Sequence, residues 1–149
     1  MIINNKFIVN VEAAIYHKDK WLIIKRSELE EHAPGTYSLI GGKVEVIDKY
    51  ENILEENLKR EILEEVGIEV YNDIKYVQSR YFKIKDGTQV IDVIFLCKYK
   101  KGEPQPIDKG EVSSVHWMKL CDILENNKSP FYLKESLIEA NKVKEGLRT

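Results

Sequence analysis

The sequence predicts an α+β fold built on a mixed β-sheet, because the chain combines many strand patterns with few helices. Its 149 residues are 43% hydrophobic and 32% charged, which suits one globular domain spanning residues 1–149. No internal repeat, low-complexity stretch or Gly/Ser/Pro-rich linker divides the chain. A single hydrophobic core is therefore expected.

Strand patterns occupy most of the chain and are separated by turn residues. The predicted strands, in chain order, are residues 7–16, 21–24, 37–40, 43–46, 68–84, 88–99 and 112–118. A turn at residues 18–20 predicts a first hairpin, and Lys85-Asp86-Gly87 predicts a second one. Residues 33–36 contain Pro and Gly and are predicted to form a loop.

The strongest helix prediction covers residues 52–66. Four apolar residues recur at every fourth position and form one stripe: Leu54, Leu58, Ile62 and Val66. Gly67 follows directly, where a helix C-cap belongs. A second, amphipathic helix is predicted at residues 133–145.

Three carboxylates lie close together on the first helix. At about 100° per residue, Glu61, Glu64 and Glu65 share an arc of roughly 100° that borders the apolar stripe. Such acids repel one another and raise their own pKa values unless a cation lies among them. Their hard oxygen ligands suit Mg²⁺, with Mn²⁺ as the alternative. Arg60 can pair with Glu64, four residues later, and taken alone the cluster also fits a solvated acidic face.

The segment from Gly41-Gly42 to Ile68 resembles the box of the Nudix hydrolase family. The family pattern is Gly, five residues, Glu, seven residues, then Arg-Glu-U-X-Glu-Glu-X-Gly-U, where U is aliphatic, and residues 60–68 fit its second half completely. The first half departs, because four extra residues lie between Glu45 and the helix. Asn52 then stands where the family has its first glutamate, so either Glu51 takes that role through a local shift or the role is absent.

The resemblance implies an α/β/α sandwich and metal-dependent hydrolysis of a phosphoanhydride in a nucleoside diphosphate linked to another group. It implies that Glu61 and Glu65 hold the metal, helped by Glu64 and by the backbone carbonyl of Gly41. It also implies a further acid six residues before a tryptophan, which here is Glu111 ahead of Trp117. We expect Glu64 or Glu111 to accept the proton of the attacking water, and Arg60 to orient the acids.

Substrate contacts are less specified by the sequence. Lys43 and Arg26 are candidate phosphate clamps, although each also fits a surface cation. Tyr37, Tyr81 and Phe82 can stack on a purine, but aromatic residues in strands more often belong to the core. Three functions therefore compete: a MutT-like nucleoside triphosphate pyrophosphohydrolase, which we favour, an ADP-ribose or nucleotide-sugar pyrophosphatase, and a nucleotide-sensing domain without catalysis.

Composition excludes several other classes. The net charge of -2 gives no basic field for nucleic acid or anionic lipid, so we expect a small-molecule nucleotide partner. Cys97 and Cys121 give neither a disulfide framework nor zinc-ligand spacing. We expect no signal peptide at residues 1–10 and no membrane span of roughly 18 apolar residues, hence a cytoplasmic protein. A homodimer is compatible with the sequence.

Overall fold

The described part of the chain, residues 5–148 of a computed structural model, contains one mixed sheet of eight strands. The strands are β1 (Ile8–His17), β2 (Lys20–Arg26), β3 (Tyr37–Ser38), β4 (Ile40–Lys43), β5 (Glu69–Val70), β6 (Lys75–Lys83), β7 (Gln89–Lys101) and β8 (Val112–Lys119). β1 and β7 pair in parallel, whereas the other pairs are antiparallel. The predicted α+β class with a mixed sheet is confirmed.

The sheet is organised around the parallel pair of β1 and β7. Its order is β3-β2-β1-β7-β5, with β4 added to β1, β6 to β7 and β8 to β2. Both predicted hairpins form, β1 with β2 and β6 with β7. Residues 1–4 and 149 lie outside the described residues. They are the two ends of the predicted domain, and residues 1–4 begin the segment considered for a signal peptide.

Helices cover both faces of the sheet and give the α/β/α sandwich. The helices are α1 (Ile53–Val66), α2 (Leu120–Glu125) and α3 (Phe131–Lys144). Because side chains alternate along a strand, Val11, Ala13 and Ile15 of β1 join the core under α1, whereas Ala14 joins the core under α3. None of the helices within residues 5–148 is long and apolar enough to cross a membrane.

Helix α1 forms where the apolar stripe predicts it. Leu58, Ile62 and Val66 are fully or almost fully buried against the sheet. Gly67 ends the helix in the left-handed region at φ 71°, and its N–H donates to the carbonyls of Ile62 and Leu63. This well-anchored helix carries the predicted carboxylates.

The structure differs from the sequence prediction in four places. Residues 68–84 form two strands, because residues 71–74 bulge out between Val70, opposite Tyr99, and Lys75, opposite Leu96. The predicted strand at residues 43–46 is β4 at Ile40–Lys43 instead, and α2 was not predicted. Tyr81 and Phe82 are 54% and 38% exposed, so the alternative that placed them in the core is wrong; among the described strands, β6 pairs only with β7 and forms a sheet edge.

Gly41 is expected to be indispensable to the pairing of β4 with β1. A Cβ at this position would lie 2.1 Å from the backbone oxygen of Val11, on the strand that pairs with it. We predict that Gly41→Ala destabilises the fold by about 1–3 kcal/mol or more, because neither backbone can yield freely. Gly110→Ala is the matched control, since the nearest atom to its Cβ would be Asp108 Oδ1 at 3.5 Å. Equal urea midpoints for the two variants would contradict this prediction.

Candidate active site

Strand β4 lies very close to α1. Its two glycines, Gly41 and Gly42, stand directly against the carboxylates of the helix. The N–H of Gly41 donates to Glu65 Oε2 at 3.2 Å. A Cβ on Gly42 would lie 2.5 Å from the carboxyl carbon of Glu61. A larger residue at position 42 would displace Glu61, and one at position 41 would push against the backbone of Val11.

The carboxylates of Glu61, Glu65 and Glu111 converge at this point. Glu65 is 4% exposed, and burial, followed by repulsion from Glu61 and a side-chain hydrogen bond with Glu111, raises its pKa to about 9. Burial, together with the charges of Glu64 and Glu111, also raises the pKa of Glu61, although Arg60 opposes the shift. The site therefore concentrates negative charge beyond what its own groups neutralise.

Glu111 reaches the cluster from a different part of the chain. It lies just before β8, and its backbone oxygen accepts a hydrogen bond from the N–H of Ser27 at 2.9 Å. That bond ties the segment to the end of β2 and leaves the side chain of Glu111 against Glu65. The structure thus brings together the helix acids and the acid found by its spacing from Trp117.

Arg60 is the principal counter-charge of the cluster. Its Nη1 donates to Glu64 Oε2 at 3.1 Å, and its Nη2 lies 3.1 Å from Glu61 Oε1. The same guanidinium donates to the backbone oxygen of Lys43 at 3.4 Å, which links α1 to the end of β4. Arg60 therefore neutralises part of the negative charge of the neighbouring acids and also fixes their positions.

Asn57 fixes the loop that leads into α1, a role the sequence analysis missed. This fully buried amide accepts from the N–H of Glu45 at 2.8 Å and donates to the carbonyl of Glu45 at 3.1 Å. Of the described acids that precede α1, Glu45 is the one whose carboxylate pairs with Arg60, at 3.9 Å. Asn52 is the N-cap residue at φ 55° but makes no side-chain capping hydrogen bond. Glu51 and Tyr50 are exposed, so the extra residues loop outward ahead of the helix.

A cavity of about 580 Å³ opens beside the glycine pair, on the face of the sheet that α3 covers. Gly41 and Gly42 line its end nearest the carboxylates, and Arg26 also lines it. Arg26 donates to the carbonyl of His32 at 3.0 Å and pairs with Glu30 at 3.5 Å. Lys43 is exposed and is not part of this lining. Tyr37 packs on the core under α3, and its ring centroid lies 5.9 Å from that of His116.

Two further acids on the cavity floor were not identified from the sequence. Glu12 on β1 and Asp92 on β7 share a side-chain hydrogen bond, and burial raises the pKa of both, most strongly that of Glu12. Asp92 is only 6% exposed. The available signal was an acid inside the apolar run of residues 90–97, which is unusual for a strand buried in a sheet.

A NUDIX domain model matches residues 6–136, most of the chain and all of the segment that carries the carboxylates and the glycine pair. The chain belongs to the NUDIX family. It is a Nudix hydrolase by family, as the motif at residues 60–68 predicted.

Solved structures agree on the Nudix fold. A MutT NUDIX hydrolase from Burkholderia pseudomallei is 23% identical with a TM-score of 0.76, covering 91% of this chain and 98% of that one. A MutT protein from Methanosarcina mazei Go1 is 24% identical with a TM-score of 0.75, covering 96% and 99%. The NUDIX domain of Shewanella oneidensis NrtR, complexed with ADP ribose, is 20% identical with a TM-score of 0.69, covering 97% and 91%. No curated protein sequence matches the chain.

The raised pKa of Glu65 predicts a distinctive pH dependence of stability for the metal-free protein. Because the folded state holds this proton more tightly than the unfolded state, stability is greatest at low pH and falls as pH rises from about 4.5 towards about 9. The limiting slope is about 1.4 kcal/mol per pH unit.

Glu65→Gln removes that titration, so in EDTA the variant should lose less stability than the parent between pH 6 and pH 9. Its advantage in melting temperature should grow with pH, by about 2–4 °C for each kcal/mol. Parallel curves of melting temperature against pH for the two proteins would contradict the prediction.

Proposed function

We propose that this Nudix hydrolase is a nucleoside triphosphate pyrophosphohydrolase that releases a nucleoside monophosphate and pyrophosphate. The observation that carries the proposal is the cavity of about 580 Å³, whose glycine-lined end adjoins the carboxylates of Glu61 and Glu65. This volume is within the range of small-molecule sites. A nucleoside held in the cavity would present its phosphates to the carboxylates.

The donor set suits a hard divalent cation, with Mg²⁺ first and Mn²⁺ as the alternative. Glu61 and Glu65 stand close enough to repel each other. Without a cation, the hydrogen bond between Glu65 and Glu111 requires a proton, and a bound cation would neutralise the site in place of that proton. Within residues 5–148, no three His, Cys, Asp or Glu side chains are already arranged as a metal shell. We assign the metal to Glu61 and Glu65, with Glu64 and the carbonyl of Gly41, and binding would require these side chains to move from their present positions.

When bound, the metal would neutralise phosphate charge and lower the pKa of a coordinated water. The chain's own residues would position the attacking water and accept its proton. An oxygen–phosphorus bond forms to the water oxygen, the bridging oxygen–phosphorus bond breaks, and the proton passes to a glutamate. Glu111 contacts Glu65 directly, and Glu64 is held by Arg60 at 3.1 Å, so these two are the candidate bases.

Arg26 is the best-placed phosphate or sugar contact, since it lines the cavity. Lys43 follows the glycine pair and is exposed, so it can reach a phosphate that projects from the cavity. Tyr37 would act through its neighbour Ser38, which lines the cavity directly. We place the protein in the reducing cytoplasm, in keeping with its free Cys97 and Cys121.

The function is tested by offering the purified protein nucleoside triphosphates and ADP-ribose with Mg²⁺ and separating the products. Release of pyrophosphate and a nucleoside monophosphate supports the proposal. Cleavage of ADP-ribose alone would replace it with a nucleotide-sugar pyrophosphatase, and binding of nucleotides without cleavage would leave a sensing domain.

Divalent metal should be required for turnover. We expect excess EDTA to abolish activity, Mg²⁺ or Mn²⁺ to restore it, and Mg²⁺ to raise the melting temperature because it binds only the folded site. The thermal shift should be larger at pH 8.5 than at pH 6, since the cation displaces the proton of Glu65. Full activity in excess EDTA would refute the metal assignment.

Removing one ligand charge should impair turnover without unfolding the protein. Glu61→Gln and Glu65→Gln keep the side-chain shape and should each lower kcat by about 10²-fold or more. Glu55→Gln, in the first turn of the same helix, is the matched control and should retain parental kcat. Near-parental turnover of both site variants at saturating Mg²⁺ would place the metal elsewhere.

A further inference from the structure

Asn57 uses all of its hydrogen-bonding capacity beside the carboxylates of α1. This residue is fully buried. Its amide nitrogen donates to the backbone oxygen of Ile53 at 2.9 Å and to that of Glu45 at 3.1 Å. Its oxygen accepts from the N–H of Glu45 at 2.8 Å and from Nη2 of Arg60 at 3.0 Å. A side-chain amide has two N–H groups and two lone pairs, so every one of them is used.

The oxygen of Asn57 joins two parts of the site that are distant in sequence. One is the segment that follows β4, which contains Glu45. The other is Arg60, whose guanidinium lies 3.1 Å from Glu61 and 3.1 Å from Glu64. Both hydrogen bonds end on one atom, so a movement of Asn57 changes the segment and the guanidinium together.

The guanidinium of Arg60 depends on outside contacts for its orientation, because an arginine side chain has many rotamers. Its Nε is buried without a hydrogen-bond partner, so the two terminal nitrogens hold it. Nη1 bonds Glu64, whose side chain is 58% exposed. Nη2 bonds Asn57, which is enclosed and tied to the backbone of its own helix. Asn57 is therefore the fixed point from which the guanidinium is directed.

Neither residue considered for the family's first glutamate contributes to this orientation. Within the described part of the chain, Glu51 and Asn52 make no hydrogen bond or ion pair with Arg60. Glu45 does, but at 3.9 Å and with a side chain that is 69% exposed. Exposed ion pairs of this kind contribute little. Of the described side chains outside the carboxylate cluster, Asn57 therefore holds Arg60 most closely.

We infer that Asn57 is a positioning residue for the metal site. By fixing Nη2 of Arg60 it keeps the guanidinium paired with both Glu61 and Glu64, and so it sets how these carboxylates stand towards a cation. The inference rests on the proposed function for the metal assignment and the reaction. It goes beyond that function by giving a role to a neutral side chain outside the set of proposed ligands.

Without the contact to Asn57, the guanidinium is free to follow the carboxylates. A released Arg60 competes more closely for Glu61, which is a proposed ligand, and a cation then has to displace it. Groups that orient metal ligands from behind typically contribute about 10- to 100-fold in metal affinity or activity. We therefore expect loss of Asn57 to weaken metal binding.

Calorimetric titration of the metal-free full chain with Mn²⁺ tests the inference without turnover. Asn57→Ala should weaken Mn²⁺ binding by about tenfold or more and lower kcat/KM at subsaturating Mg²⁺. Asn72→Ala is the matched control, because this exposed asparagine accepts from Lys59 of the same helix at 2.7 Å; it should keep the parental Mn²⁺ affinity. Parental Mn²⁺ affinity in a folded Asn57→Ala protein would overturn the inference, even if its melting temperature falls.

A double-mutant cycle shows whether Asn57 acts through Arg60. Arg60→Lys keeps the charge but removes the planar pair of terminal nitrogens. If the effect passes through the guanidinium, adding Asn57→Ala to Arg60→Lys should change the Mn²⁺ affinity by less than about threefold. A further loss of about tenfold in the double variant would show two independent effects and would overturn the inference.

Asn57→Asp takes the place of Asn57→Ala if the alanine variant melts below the assay temperature. The aspartate keeps the size of the side chain and an oxygen for Arg60, but it loses the donors to Glu45 and Ile53. Its Mn²⁺ affinity should therefore stay at or above the parental level, although the protein is less stable. An affinity weaker by about tenfold in this variant would overturn the inference, because Arg60 would still have its partner.

Failure of this inference is separable from failure of the proposed function. Mg²⁺-dependent cleavage of triphosphates, with parental Mn²⁺ affinity in Asn57→Ala, would leave the pyrophosphohydrolase standing and remove the positioning role. Weaker Mn²⁺ binding in Asn57→Ala, without cleavage of any triphosphate by the parental protein, would support the positioning role and remove the proposed reaction.

Discussion

The contact between β4 and α1 governs the geometry of the whole site. Gly41 and Gly42 bring the strand so near the helix that a Cβ at either position would collide with backbone or with the carboxyl group of Glu61. The N–H of Gly41 donates a hydrogen bond to the carboxylate of Glu65 at 3.2 Å. One close approach therefore anchors the helix on the sheet, places two carboxylates, and forms the end wall of the cavity.

Concentrating acids in this way has an energetic cost that the fold distributes among several groups. Arg60 neutralises Glu61 and Glu64 at 3.1 Å each, and Asn57 contacts Arg60 while holding Glu45 on the helix. Among the described residues no cation pairs with Glu65, which instead shares a hydrogen bond with Glu111 and has its pKa raised to about 9. The stability of the domain and its capacity for a cation are consequently two aspects of one electrostatic arrangement.

The two faces of the sheet have different tasks. The α1 face combines a dry core around Leu58 and Ile62 with the carboxylate edge. The α3 face is dry under Leu133 and Leu137 but polar beside the start of that helix, where Asp92 and Glu12 lie. Strand β1 contributes alternate side chains to the two faces of the sheet. The cavity on one face and the carboxylates on the other face therefore lie next to each other at β4.

The sequence by itself determined the family, the mixed sheet, helix α1 and the cluster of Glu61, Glu64 and Glu65, because these features depend on spacing within short segments. The 3.6-residue repeat placed the acids beside the apolar stripe, and Gly67 marked the end of the helix. The resemblance to the family also singled out Glu111, six residues before Trp117. The distinctive chemistry of residues 60–68 carried the rest of the prediction.

Only the tertiary structure decided which distant residues share a surface. The cavity lining by Arg80, Asp92 and Asn10 depends on strand register across β6, β7 and β1, which no local pattern specifies. Likewise, Glu45 pairs with Arg60 because the buried Asn57 of α1 bonds the backbone of Glu45. Long-range pairing and packing set these contacts, so a sequence read in local windows can identify the candidate catalytic groups but not the pocket that would choose their substrate.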